Sequence, residues 1–153
     1  MSMSNVQRIG KLMDLLKEGL TPFIQEEMEA AYGSSWGEEA IRTLRRDADW
    51  GSKEDELHLD VHALLIIMWY QWKEVFGKIL GHAERSLVSE LRTVRNDWAH
   101  QKPFSTDDAY RAFDSGNRLM TAIASPLASE VYEMGQDLLR ARMDEGRRQP
   151  ERS

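Results

Sequence analysis

The sequence predicts an all-α fold, a bundle of about five to six helices, and three observations predict it. Apolar residues recur at three- and four-residue steps through most of the 153 residues. Residues suited to capping helix N-termini precede these segments, and glycine or proline falls between several of them. No strand pattern, internal repeat or low-complexity tract stands out.

The first helix spans about residues 5–31, carries Val6, Ile9, Leu12, Met13, Leu16, Leu20, Phe23, Ile24 and Met28, and has Ser4 or Asn5 as N-cap. Pro22 is expected to kink or divide it. A second, short helix fits residues 36–46, with Ser35 and Glu38 at capping-box spacing. Residues 47–59 hold Trp50, Gly51 and five acidic residues without periodicity, and read as a long loop. Asp60 caps a strongly apolar helix over residues 61–80, ended by Gly81. Ile67, Trp69 and Tyr70 widen its stripe, which suits a central helix or one that meets a partner. A further helix covers residues 82–100, and Pro103 supports the break after it. Ser105 opens the next, carrying Ala109, Phe113, Gly116, Met120 and Ile123. Ser125 as cap and Pro126 at the first helical position begin the last, with Leu127, Val131, Met134 and Leu138. Residues 1–143 thus form one domain, and 144–153, mostly charged or polar, a flexible tail.

Composition narrows the function. Hydrophobic residues make up 41% and charged residues 30%, the balance of a soluble globular protein. No apolar run approaches the roughly 20 residues of a membrane span, and a cytoplasmic protein without membrane partners is expected. The absence of cysteine excludes disulfides, thiolate catalysis and cysteine-ligated zinc. A net charge of −6 argues against a protein that coats nucleic acid non-specifically, yet leaves room for a local basic cleft.

The chemistry gathers at Arg95-Asn96-Asp97-Trp98-Ala99-His100, the pattern R-N-x-x-x-H on a predicted helix. Arginine offers a rigid fork of donors matched to phosphate oxygens, and histidine trades a proton near neutral pH. With Arg95 at 0° and 100° per residue, Leu87, Leu91, Val94 and Trp98 fall at about −80°, −40°, −100° and −60°, a core stripe. Arg85, Ser89, Arg92, Asn96, His100 and His82 fall at about 60° to 140°, a polar ridge, with Arg95 between the faces. An isologous dimer would double every group on that ridge. If the substrate is RNA, His100 carries the proton, Arg95 clamps the phosphate and Asn96 orients the imidazole or binds a phosphate oxygen. The structural alternative makes Arg95 an anchor to a carboxylate of another helix and His100 a polar helix-end residue. Asp97 would repel RNA if it faced the cleft, but helical spacing turns it about 100° from Asn96.

The stretch 91–111, with Asn5–Gly10, residues 64–72 and residues 81–86, resembles the HEPN superfamily, and its Swt-type branch most of all. The resemblance implies a HEPN-like all-α fold and a homodimer that pairs the two motif helices. It further implies metal-independent cleavage of RNA, as in a toxin or phage-defence effector. Arg95, Asn96 and His100 would then be catalytic, and Arg92, Arg85 and His82 would bind RNA. No cofactor or metal is implied; an antitoxin or a larger defence assembly is an implied partner. The alternative from the same resemblance is a non-catalytic dimerisation or RNA-sensing module, such as the N-terminal domain of a larger defence ATPase. A third reading is a helical protein whose 61–80 helix docks on a partner. Elsewhere His58 and His62 have a metal-ligand spacing but lack a third ligand, and of the tryptophans only Trp36 and Trp50 fall near loops.

Overall fold

The computed structural model describes residues 3–48, 50 and 57–148. Six α-helices order the described residues: α1 (Asn5–Tyr32), α2 (Trp36–Leu44), α3 (Val61–Tyr70), α4 (His82–Ala99), α5 (Thr106–Ala122) and α6 (Ala128–Arg148). Short 3-10 turns stand at Gly33–Ser35 and Phe76–Lys78, and no strand occurs among the described residues. The expected all-α bundle is what forms. Of the 47–59 loop, residues 49 and 51–56 lie outside the described residues, as do 149–153 of the expected tail.

Helix α1 starts on a capping box, the Gln7 amide donating to Ser4 Oγ at 3.1 Å and the Ser4 amide to Gln7 Oε1 at 2.9 Å. Pro22 sits inside an unbroken helix rather than dividing it. The turns beside it are held by packing: Gly19, Leu20 and Ile24 are buried, and a Cβ on Gly19 would lie 2.0 Å from Met120 Cε of α5. Ser35 makes no capping bond, because it lies at φ −86°, ψ 3°, already turned, where a side-chain cap needs extended backbone.

Helix α3 is the centre of the core. Asp60 caps it, accepting from the Ala63 amide at 2.8 Å, and all eight residues Val61–Met68 are buried. The apolar surface that a docking helix needs is used inside the fold. The helix ends at Tyr70, ten residues before the expected stop at 80. Gln71 is the cause: its amide is buried, donating to Thr43 Oγ1 at 2.8 Å and accepting from the Tyr32 hydroxyl at 2.6 Å. Pairing with α1 and α2 redirects the chain there, and it tightens around Gly77, whose amide donates to the Trp72 carbonyl at 2.6 Å. A Cβ at Gly77 would sit 2.7 Å from that oxygen. Trp72, Val75 and Phe76 of the expected stripe remain buried, whereas Ile79 is 52% exposed and Leu80 is buried in its place, because the chain no longer follows the helical register there.

Ser105 caps α5, accepting from the Asp108 amide at 3.0 Å. Helix α6 begins at Ala128 rather than Pro126, because the Ser125 hydroxyl first accepts from the Leu127 amide at 3.2 Å and closes a turn. It runs to Arg148 along α5, where Arg142 Nε meets Asp107 Oδ1 at 2.6 Å.

Candidate functional site

Helix α4 starts at His82 behind Gly81 and packs against α3, α5 and α1. Its fully buried residues are Val88 and Leu91; Leu87, Val94 and Trp98 are partly buried against the core. Val88 stands at about 20° on the scale that puts Arg95 at 0°. The inward direction therefore lies closer to Arg95 than the predicted stripe did. The reason is that α4 has three neighbours, and an arc wider than its apolar stripe is covered. Trp98 lies over α1, its Nε1 3.5 Å from where a Gly10 Cβ would be. On the α5 side Arg111 Nε donates to Glu90 Oε1 at 2.6 Å, and a cleft of about 340 Å³ is lined by Glu90, Asp97, Phe104 and Asp108 among others.

The three arginines of α4 have different surroundings. Arg85 stacks on α3, its guanidinium carbon 4.2 Å from the centre of the Trp69 ring. Arg92 Nη2 donates to Asp47 Oδ2 at 2.7 Å, with side chains only 17% and 5% exposed. This is the structural anchor that the sequence suggested for Arg95. Tyr70 joins it: burial first, and then the Asp47 carboxylate that accepts its hydroxyl, push its pKa above the usual phenol value. Arg46 in turn lies over the Tyr70 ring at 5.1 Å. Arg95 makes no ion pair among the described residues; its Nη1 donates to Asn96 Oδ1 at 3.4 Å, which draws the guanidinium around toward the polar side. In all three, Nε is shielded from solvent without a hydrogen-bond partner, and they are the side-chain atoms in that condition among the described residues. A buried donor left unpaired costs about 1–3 kcal/mol.

The solvent face of α4 is narrower than the ridge expected. His82, Ser86, Ser89, Thr93 and His100 are exposed and Asn96 half-buried. These six alternate in steps of four and three, the spacing of a helix–helix seam, and the four between the histidines are small. That spacing is visible in the sequence, although a search for apolar periodicity passes over it. Asn96 Oδ1 is engaged by Arg95, not by the imidazole. His100 closes the helix, its amide donating to the Asn96 carbonyl at 3.0 Å. Gln101 follows at φ 59°, with its amide bonded to the Trp98 carbonyl at 3.1 Å and the Lys102 amide to that of Asp97 at 2.9 Å. This double bond pattern is a Schellman stop, completed here without glycine. It brings Lys102 Nζ to 3.4 Å from Asp97 Oδ1 and leaves Asp97 on the α5 cleft, away from Arg85 and Arg92. Asn5 Nδ2 donates to the Phe104 carbonyl at 3.0 Å and ties the chain after His100 to the start of α1.

Trp36 and Trp50 are partly buried against the core, and it is Trp69 that meets an arginine of α4. His62 is buried beside Trp50, ring centres 6.0 Å apart. No group of three or more His, Cys, Asp or Glu among the described residues is arranged to hold a metal ion. No described helix is long and apolar enough to cross a membrane.

An all-α domain with R-N-x-x-x-H at the end of a helix that packs on three others defines a class. The family described as Swt1-like HEPN matches residues 11–124, more than half of the chain, and the chain belongs to it. The match runs from within α1 through the end of α5 and includes the motif. No curated protein and no solved structure matches.

Proposed function

We propose that this HEPN domain is a metal-independent endoribonuclease acting as a homodimer, with Arg95, Asn96 and His100 as its catalytic residues. The observation that carries the reading is the end of α4, where Arg95 has no carboxylate partner among the described residues and His100, five residues on, is exposed. Arg95 is the phosphate clamp, since no carboxylate among the described residues neutralises it. His100 moves the proton: as base it takes it from the 2′-hydroxyl, which attacks phosphorus; as acid it returns one to the departing 5′-oxygen. Arg85, Arg92 and His82 extend the RNA contact, Arg92 with its charge shared with Asp47.

The small-residue seam supports the dimer. Its ends, His82 and His100, are each nine positions from Leu91, so antiparallel pairing about that point sets His82 of one copy beside His100 of the other. Such a pairing supplies two imidazoles at each end. A toxin or phage-defence role, with an antitoxin or larger assembly as partner, belongs to the same proposal. The competing reading, a dimerisation or RNA-sensing module, is favoured by one observation: no described group orients the His100 imidazole in the single chain.

The test is cleavage of unstructured RNA with and without EDTA. Activity that persists in EDTA, leaves 2′,3′-cyclic phosphate ends and spares DNA is expected. Loss of activity in EDTA, or equal cutting of DNA, removes the histidine–arginine mechanism; folded dimers that cut nothing leave the sensing module.

A further inference from the structure

Two arginine–aromatic stacks stand side by side along the α3 edge of α4. Trp69 and Tyr70 are consecutive at the end of α3, each half-buried; Arg85 lies over the first at 4.2 Å and Arg46 over the second at 5.1 Å. A guanidinium carbon over a ring places a delocalised, planar cation at the rim of the aromatic pair, and such a plane is a surface on which a base can stack. Arg85 Nε is shielded and unpaired, so the terminal Nη donors are the ones a ligand would meet. Asp47 is engaged by Arg92 and by the Tyr70 hydroxyl.

We propose that Arg85 and Arg46 are stacking platforms for unpaired bases of a single-stranded RNA, each backed by the aromatic ring beneath it. The inference rests on the ribonuclease reading for its ligand and deepens it, by naming side chains outside the motif that would hold the bases of the strand. Unstacked bases are what a guanidinium plane recognises, whereas a duplex keeps its base faces covered. Along α4, Arg85 precedes Arg95 by ten residues, about 15 Å at the helical rise, so the platform engages bases away from the cleaved phosphate. It selects the strand and does not take part in bond breaking.

The discriminating variant is Arg85→Lys, which keeps the charge and removes the plane. Binding is measured by fluorescence anisotropy with a short oligoadenylate, in the His100→Ala background so that no RNA is cut. The affinity should fall about tenfold in Arg85→Lys, the scale of one lost base stack. The same oligonucleotide with abasic sites should bind both proteins equally, and so should an RNA duplex. In the wild-type fold, 5-iodouracil RNA should crosslink at Arg85, Trp69, Tyr70 or Arg46. Equal affinity of Arg85→Lys and its parent for oligoadenylate overturns the proposal, as do an equal loss on duplex, crosslinks confined to other elements, or no binding of single strands at all. Because the readout is binding, a protein that shows the Arg85→Lys effect but never cuts RNA keeps the platform and loses the nuclease. One that cuts RNA without that effect does the reverse.

Discussion

The first two-thirds of α4 and its last turn and a half carry the same residue type in opposite circumstances. Arg85 and Arg92 are held from outside the helix, by the Trp69 ring and the Asp47 carboxylate. Arg95 is held only by Asn96, its neighbour on the same helix, and His100 after it is exposed. A side chain fixed by another element has its geometry set by folding. One that leans only on its own helix takes its final geometry from whatever arrives, a second copy of the chain or a phosphate. The anchored stretch therefore serves stability and positioning, and the unanchored stretch is where the proposed chemistry falls.

That contrast breaks most sharply at the motif. Arg95→Met and His100→Ala should each lower RNA cleavage by about 10² or more while leaving the dimer and the melting temperature near wild type. Methionine is the better replacement for Arg95, because the Val88–Leu91 direction puts the arginine stem over the core, and Arg95→Ala would also remove packing. If Arg95→Met melts as a core variant does, the residue is structural and the distinction fails. The core reference is Leu91→Ala at a fully buried position, expected to cost about 2–5 kcal/mol by denaturant titration.

Arg92→Ala should lower stability by about 2 kcal/mol, because it removes a charge-assisted bond from the shielded Asp47 carboxylate while the Tyr70 hydroxyl stays on it. A loss below about 0.5 kcal/mol, the range of ordinary surface changes, would move Arg92 out of the anchored group. The smallest effect is expected at Gln101→Gly: relieving a side chain at φ 59° should add about 1 kcal/mol and leave cleavage unchanged. A destabilised glycine variant would mean that the Gln101 side chain matters more than its backbone.

Much of this was legible in the sequence where the determinants are local. Caps at Ser4, Asp60 and Ser105, and the stop between His100 and Pro103, lie within a few residues of what they control. The motif helix was legible for the same reason, although the expected pairing of Asn96 with the His100 imidazole does not form and Asn96 Oδ1 accepts from Arg95 instead. The end of α3 was not, since Gln71 answers to Tyr32 and Thr43, 39 and 28 positions away. Nor could spacing reveal that Arg92 rather than Arg95 is the anchor: its partner Asp47 is 45 residues earlier, in a stretch without periodicity. Trp69 was passed over because an apolar run gives no sign of which ring will receive a cation.

The bond between Asn5 and Phe104, and the Trp98 indole over Gly10, close loops of roughly 90 to 100 residues. Closing a loop of that length is entropically dear compared with winding a helix, so the end of α4 docks late in folding. On the ribosome, α1 waits for nearly two-thirds of the chain before its counterpart emerges. The R-N-x-x-x-H segment is made only after α1, and the fold around it closes only once Phe104 has followed it to meet Asn5.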